Sequence, residues 1–243
     1  MYNNNFTSRT ELLIGSDGVE KLCNSSVLIF GAGGVGSYVI ESLARAGVGA
    51  ITVVDGDKIE ESNLNRQLFA LRSTIGQNKA ILAAARVKDI NPYCRAEGLP
   101  IFMDEQNLAD FAPENYPYVV DAIDTVSAKI ALAVYCYEKN VPLISSMGTG
   151  NKLRENFIAG DIFDSEVCPL AKVMRRELRK RGVPALKAVY GKTTPAPPAV
   201  TDGGKSVVGS ISYIPAKAGL LITEEVIISI LNAQRVINDK DKQ

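Results

Sequence analysis

One stretch near the start of the sequence, from Val27 to Arg66, restricts the fold more than any other. Four apolar residues, V-L-I-F, run directly into G-A-G-G-V-G, which contains the pattern G-x-G-x-x-G with one extra glycine. Glycine lets the chain turn sharply after a buried strand and lets its backbone approach a bound group closely. A helix that starts at this loop would direct its first N–H groups toward an anion. The glycines are Gly31, Gly33, Gly34 and Gly36.

The residues after the glycine loop complete a strand–helix–strand unit. We predict a helix from Val35 to Ala46 and a second strand from Ala50 to Val54, which ends at Asp55. An acid about 20 residues after such a loop commonly binds a ribose hydroxyl. Because loop, helix, strand and acid come in this order, the unit predicts an adenine-nucleotide site rather than tight packing alone.

The polar segment that follows Asp55 indicates the kind of reaction. The run S-N-L-N-R-Q places Arg66 beyond the carboxyl end of the second strand, where ligands of such sheets bind. Arg66 can hold a phosphate through two N–H groups, and the Asn63 or Asn65 amide can bind phosphate oxygens. Lys79, in G-Q-N-K at the start of a helix, would be a second cation. This arrangement favours phosphoryl or nucleotidyl transfer over hydride transfer.

A third acid would complete this site. Asp124 ends the segment V-V-D-A-I-D after a later strand, and we expect it to hold Mg²⁺ or to orient the attacking group. We therefore assign catalytic roles to Arg66, Lys79 and Asp124. Further nucleotide contacts are expected from polar residues of the same segments, namely Asp57, Ser62, Gln67 and Thr125.

Apolar strands alternate with helical segments along the chain, which predicts an α/β fold. We expect a Rossmann-like, doubly wound and mostly parallel sheet with right-handed crossovers. A C-terminal extension would add a strand from Ser206 to Ile214 and a helix from Ala216 to Ile237. At the other end of the chain, a helix from Arg9 to Leu22 is expected to direct its leucines, Leu12 and Leu13 included, toward the core.

The composition excludes several kinds of chemistry. The chain has no histidine, which rules out Ser-His-Asp and Cys-His catalysis and histidine metal ligands. Its four cysteines are widely separated, so a zinc site built from C-x-x-C pairs is excluded, and they predict reduced thiols in a cytoplasm. No segment has the apolar pattern expected of a signal peptide or a membrane-spanning helix.

The charge balance bears on an RNA partner. Lys and Arg together number 27, as do Asp and Glu, so an RNA site would have to be a local patch. The candidate patch is a predicted helix from Ser165 to Gly182, in which the seven residues 175–181 include five cations and one acid, Glu177. Substrate RNA contacts are expected from four of them, Arg175, Arg176, Arg179 and Lys180.

The motifs resemble a known family. G-A-G-G-V-G, D-G-D-x-I-x-x-S-N-L-N-R-Q, G-Q-N-K and D-A-I-D are similar to the ATP site of the ubiquitin-activating-enzyme-like (ThiF and MoeB type) adenylyltransferases. Two later segments, C-P-L-A-K-V-M-R-R-E-L-R-K-R-G from Cys168 and G-S-I-S-Y-I-P from Gly209, resemble the tRNA threonylcarbamoyladenosine dehydratase branch. The resemblance covers about Arg9 to Leu231.

The resemblance implies an enzyme that uses ATP and Mg²⁺ to cyclise threonylcarbamoyladenosine beside the tRNA anticodon. It implies a homodimer in which Arg9 reaches the ATP phosphates of the partner subunit. It is also compatible with a protein partner that transfers sulfur. The length of 243 residues suits one large α/β domain, so we predict a single ATP-binding domain over 1–243. It would comprise a nucleotide-binding core in 1–160 and a substrate-binding, closing extension in 161–243.

Three other functions remain open from the sequence. The first is an adenylyltransferase that activates the C-terminus of a ubiquitin-like sulfur-carrier protein, with Cys168 as its nucleophilic thiol. The second is an NAD-dependent oxidoreductase, because the glycine pattern serves dinucleotides as well. The third is a nucleotide-sensing scaffold that does not turn ATP over.

Overall fold

The fold is a seven-stranded sheet with helices on both faces. The computed structural model describes residues 5–197, 199–200 and 206–232. The helices are α1 (Ser8–Cys23), α2 (Gly36–Ala46), α3 (Lys79–Ile90), α4 (Val126–Glu138), α5 (Pro169–Lys180) and α6 (Tyr213–Asn232). The sheet strands are β1 (Ser26–Phe30), β2 (Ala50–Val54), β3 (Arg95–Leu99), β4 (Tyr118–Asp121), β5 (Leu143–Ser146), β6 (Phe157–Asp161) and β7 (Lys187–Gly191). A small separate two-stranded sheet pairs β8 (Ala199–Val200) antiparallel with β9 (Ser206–Val207).

The strands follow the order β3-β2-β1-β4-β5-β7-β6, and only β6 runs antiparallel to its neighbour. The central strand β1 is buried on both faces, since Val27 and Ile29 pack with α2, α3 and α6, while Leu28 and Phe30 pack with α4 and α5. Burial on both sides explains why its last four residues, Val27 to Phe30, form an unbroken apolar run. The predicted doubly wound, mostly parallel α/β sheet with a C-terminal extension is confirmed.

The C-terminal extension differs in detail from the prediction. The strand predicted from Ser206 to Ile214 is wrong beyond Val207, because α6 already begins at Tyr213. Pro215 lies in the first turn of α6, where a missing N–H and a fixed φ are favourable. The last sheet strand is instead β7, which inserts between β5 and β6 and was not predicted. The end predicted for the closing helix, 233–237, lies outside the described residues.

The first helix does not bury the leucines expected of it. Leu12 and Leu13 are 82% and 86% exposed, so that prediction is wrong, whereas Leu22 is buried. Gly15 has a φ of 75°, which interrupts the helical geometry of α1. The two halves of α1 therefore do not share one continuous apolar face. Within the described part of the chain, no helix is long and apolar enough to cross a bilayer.

Candidate functional site

A cleft of about 590 Å³ opens at the carboxyl ends of the parallel strands. Its floor is formed where β1 and β4 lie side by side. The chain winds outward in opposite directions from these two strands, so this is the switch point at which doubly wound sheets bind ligands. Ten residues that the sequence predicted for the nucleotide site line this one cleft: Gly31, Gly33, Gly34, Asp55, Asp57, Arg66, Gln67, Lys79, Asp124 and Thr125.

The glycines of the loop between β1 and α2 serve two different purposes. Gly31 has a φ of 95°, and a Cβ there would lie 2.6 Å from the carbonyl oxygen of Ala122. A Cβ on Gly36 would lie 1.9 Å from the carbonyl oxygen of Gly31, so Gly36 lets α2 pack against the loop although it does not line the cleft. A Cβ on Gly33 would meet nothing closer than the Gln67 side chain at 3.8 Å. The first two glycines are needed by the fold, and Gly33 is needed only if something occupies the cleft.

The backbone of this loop offers a cradle for an anion. The N–H groups of Gly33, Gly34 and Val35 have no hydrogen-bond acceptor among the described residues, and they precede the first turn of α2. N–H groups left unpaired at a helix N-terminus favour a bound phosphate.

Asp55 joins the end of β2 to the glycine loop. Its carboxylate accepts the Ala32 N–H at 2.7 Å and the Asp57 N–H at 2.8 Å. Burial raises the pKa of Asp55 above its ordinary value, although both N–H groups and nearby Lys79 oppose that rise. Each oxygen retains a lone pair, so the carboxylate can still accept a hydrogen bond from a ribose hydroxyl.

Lys79 is the first residue of α3 and is fixed by its neighbours. Its ammonium group lies 2.7 Å from the Asp57 carboxylate, and its side chain is only 7% exposed. Asn78 caps α3 by accepting the N–H groups of Ala80 and Ile81. Lys79 therefore carries a positive charge at a set position in the wall of the cleft.

Arg66 and Gln67 form the wall beside the glycine loop. The Arg66 guanidinium donates to the carbonyl oxygen of Ser62 and to the Asn65 side chain, at 3.0 and 2.9 Å. Only one of its nitrogens is used, so others remain able to contact a ligand. The side-chain oxygen of Gln67 is buried without a hydrogen-bond partner in the described structure. A buried polar atom of this kind indicates a missing partner, which a ligand in the cleft would supply.

Three other predicted contacts lie outside the lining of the cleft. The side chain of Asn63 closes its own turn, accepting the Glu60 N–H and donating to the Ser62 hydroxyl at 3.3 Å. Asn65 donates to the carbonyl oxygen of Ser210. Nucleotide contacts by Ser62, Asn63 and Asn65 stay predictions.

Asp124 lies on the loop after β4, with an exposed carboxylate for which the described structure shows no hydrogen bond or ion pair.

A buried cluster that sequence reasoning missed holds this loop. Asp121 is fully buried, 2.8 Å from the Lys129 ammonium group and 2.5 Å from the Ser145 hydroxyl. Asp121 accepts the Ile123 N–H, and Lys129 donates to the carbonyl oxygen of Ile123. An acid inside the apolar run V-V-D was the available sequence signal.

The apolar end of the cleft was also missed. Its walls include Phe30, Val54, Ile101, Phe102 and Met103. The Phe102 ring lies so close to Gly56 that a Cβ there would be 2.5 Å from the ring. An apolar pocket beside a ribose-binding acid can accommodate an adenine ring.

The cations predicted to contact RNA are largely engaged within the chain. Arg176, Lys180 and Arg181 all pair with Glu177, which lowers the pKa of that carboxyl to about 2. In the same region, Arg175 donates to the carbonyl oxygen of Ser165, and the Arg179 guanidinium lies 4.9 Å from the centre of the Phe163 ring.

Two further predicted residues lie elsewhere. Arg9 is exposed on α1 and does not line the cleft. Cys168 directly precedes α5, and it lies within the core and is 1% exposed. A thiol this deeply buried is poorly accessible to a protein C-terminus, which weakens the case for Cys168 as a nucleophile.

Comparison with known proteins identifies the family. The ThiF family matches residues 7–240, nearly the whole chain. The chain belongs to the ThiF family. Among ThiF-family relatives, the tRNA threonylcarbamoyladenosine dehydratase of Bacillus subtilis is 39% identical over 97% of this chain and 98% of its own length. The Escherichia coli enzyme of the same name is 36% identical over 75% of this chain and 65% of its own length.

A solved structure extends this similarity to three dimensions. The crystal structure of E. coli tRNA N6-threonylcarbamoyladenosine dehydratase, TcdA, in complex with ATP superimposes with a TM-score of 0.85. The match covers 93% of this chain and 94% of TcdA at 29% identity.

Proposed function

We propose that this ThiF-family chain is an ATP-dependent tRNA threonylcarbamoyladenosine dehydratase. The observation that carries the proposal is the full-length similarity to the B. subtilis enzyme, 39% identical across 97% of the chain. The site agrees with it, since a glycine cradle, a ribose-binding acid and two cations line one cleft.

The residues present fit ATP as substrate. The unpaired N–H groups at the start of α2 would hold its phosphates, and the unpaired Gln67 oxygen lies in the same wall. They also fit Mg²⁺, which favours one or two carboxylates together with substrate phosphates. We assign Asp124 to the metal, because its exposed carboxylate lines the cleft. The metal would neutralise charge on the phosphates.

The reaction begins when the threonyl carboxylate of the modified adenosine attacks the α-phosphate of ATP. A carboxylate oxygen forms the new P–O bond, the bond to pyrophosphate breaks, and an acyl adenylate results. The neighbouring carbamoyl group then attacks the activated carbonyl, which closes a ring and releases AMP. AMP carries away the former carboxylate oxygen and the carbamoyl group loses a proton, so the nucleoside loses the elements of water.

The protein's part in this reaction is to position and to stabilise charge. Arg66 and Lys79 would stabilise the negative charge that grows on the phosphates during attack. Asp55 would orient the ribose. Histidine is unnecessary, because the leaving groups are phosphates that depart as anions.

The decisive experiment is mass analysis of the nucleosides of tRNA after incubation with the protein and ATP. Threonylcarbamoyladenosine should lose one water, with AMP and pyrophosphate formed in equal amounts. Omission of ATP is the control. The rival function predicts instead that a sulfur-carrier protein, and not modified tRNA, stimulates pyrophosphate exchange. An unchanged nucleoside together with carrier-dependent exchange would refute the dehydratase.

Several wider features of the enzyme belong to the same proposal. We propose a cytoplasmic homodimer in which Arg9 reaches the partner's ATP phosphates. The proposal is also compatible with a protein partner that transfers sulfur. Residues 1–160 would bind the nucleotide, and 161–243 would bind substrate and close over it.

A further inference from the structure

A second recess, of about 510 Å³, lies at the end of the sheet that carries β6 and β7. Three exposed cations line it, Arg154, Lys192 and Lys217. An aromatic ring, Tyr213, and an apolar side chain, Leu153, complete its surface. The recess therefore combines positive charge with a surface suited to stacking.

The charge of this recess is not cancelled by acids nearby. None of its three cations forms an ion pair within the described residues. The one acid in the lining, Glu155, is fully buried and paired with Lys152 beneath the surface. The Glu155 carboxylate also accepts the N–H groups of Lys192 and Thr193, which leaves it no exposed face. A ligand would meet only positive charge.

The helix α5 differs in this respect. Its cations Arg176 and Lys180, together with Arg181 just after its end, converge on Glu177 at 2.8 to 3.1 Å. A phosphate that approached them would compete with that carboxylate. The recess is therefore the better anion site, although α5 carries more positive charges.

The recess shares two chain segments with the ATP cleft. Gly150 lines the cleft and Leu153 the recess, while on the facing segment Pro215 lines the cleft and Tyr213 the recess. The Tyr213 hydroxyl donates to the carbonyl oxygen of Leu153 at 2.6 Å, which ties the two segments together. A substrate that fills the cleft mouth can continue directly into the recess.

We infer that this recess binds the backbone phosphates of the anticodon nucleotides that flank the modified adenosine. The inference rests on the proposed function, in which the threonyl group of that adenosine enters the cleft. Arg154 and Lys192 contact the phosphates, and Tyr213, 44% exposed, stacks against an unpaired base. Anticodon loops present splayed bases and a continuous backbone, the features that proteins recognise in single-stranded RNA.

The test compares two variants that lose the same charge. Arg154→Gln/Lys192→Gln alters the recess and leaves Lys217 in place, because its ammonium group also donates to the carbonyl oxygen of Glu155. The matched control is Lys88→Gln/Arg95→Gln, two exposed cations at the end of α3 and the start of β3, on the opposite edge of the sheet. The probe is an anticodon stem–loop RNA carrying threonylcarbamoyladenosine, titrated at several salt concentrations.

The expected loss follows from counterion release. Each phosphate contact contributes about 0.7 to 0.9 to the slope of log K against log salt. When salt is lowered from 1 M to 0.1 M, each phosphate contact therefore raises RNA affinity about five- to eightfold. The recess variant loses two contacts, so it should bind RNA on the order of 30-fold more weakly than the wild type at 0.1 M salt. Its salt slope should fall by about 1.5, with KM raised and ATP affinity unchanged. The control should remain within about threefold of the wild type.

Other outcomes would overturn the inference. Equal losses in both variants would mean general charge attraction. Wild-type RNA affinity in the recess variant, together with a loss in Arg176→Gln/Lys180→Gln, would assign the RNA to α5. Wild-type RNA affinity in both the recess variant and the α5 variant would show that neither surface binds the RNA, and the recess would then bind some other partner, such as an acidic protein. Failure of the proposed function is distinguishable, because the wild type itself would then leave threonylcarbamoyladenosine unchanged.

Discussion

The glycine loop allows the contribution of the fold to be separated from that of ligand binding. Gly33→Ala would add a methyl group that meets only the Gln67 side chain, at 3.8 Å. Gly33 is not among the glycines with positive φ, so alanine can adopt its backbone conformation. The free energy of unfolding should then stay the same or rise by about 0.4–1 kcal/mol, because alanine restricts the unfolded chain.

ATP binding should respond to Gly33→Ala in the opposite direction. The methyl group points into the cleft beside N–H groups that have no acceptor among the described residues. Loss of two charge-assisted hydrogen bonds, each worth about 1.5 kcal/mol at the low end, costs about 3 kcal/mol. That corresponds to an affinity about 150-fold weaker.

Gly36→Ala is the matched comparison, because the same methyl group is added three residues further along. Its Cβ would lie 1.9 Å from the carbonyl oxygen of Gly31, so backbone has to move. We expect a loss of about 3 kcal/mol, the upper end for overpacked sites, and a Tm lower by roughly 6–12 °C. Thermal unfolding with and without ATP, together with calorimetric titration, measures both effects. Wild-type ATP affinity in Gly33→Ala, or wild-type stability in Gly36→Ala, would refute the reasoning.

Three further changes test other parts of the site. Lys129→Met leaves the buried Asp121 carboxylate unpaired and should cost about 3–5 kcal/mol in chemical denaturation, most of it recovered by adding Asp121→Asn; independent effects of the two changes would contradict the pairing. Burial raises the pKa of Asp55 in the folded protein above 3.8. The contribution of Asp55 to the free energy of unfolding therefore falls as pH rises from 3.8 through this raised pKa. ATP affinity should change in the opposite direction and fall as pH drops through the raised pKa, because the ribose needs the ionised carboxylate. Titrations across the acid range should show this in the wild type but not in Asp55→Asn. Arg9→Ala should lower ATP turnover with little change in Tm, and unchanged turnover would reject its role.

Local patterns predicted the part of the fold that one continuous segment specifies. The unit from β1 to Asp55 needs only a buried strand, a glycine loop and a helix, all within about 30 residues, so its bounds were nearly correct. The segment 206–214 was mistaken for a strand, because alternating apolar and small residues fit a strand as well as a loop leading into a helix. Pro215 was the signal that favoured a helix start.

The cluster behind the cleft could not be predicted in the same way. Asp121 meets Ser145 only because β4 and β5 pair in that register, and Lys129 reaches Asp121 from α4. No local pattern records that meeting, since the partners come from three separate elements. Prediction therefore found most of the polar residues that line the cleft and missed those that hold its loops in place.

The net charge of the chain likewise could not predict where a polyanion would bind. Equal numbers of acids and cations argued against a general nucleic-acid-binding surface and left only a local patch, but a count weights every charge alike. In the folded chain the charges are not equally available to a ligand. Glu155 is buried with Lys152, so it adds no negative charge to the recess surface. Glu177 pairs with Arg176, Lys180 and Arg181, so the positive charge there is partly neutralised. Arg154 and Lys192, which have no such partners among the described residues, dominate the surface beside the cleft. A chain of zero net charge can therefore present a local positive field to a polyanion, because burial and pairing decide which charges a ligand meets.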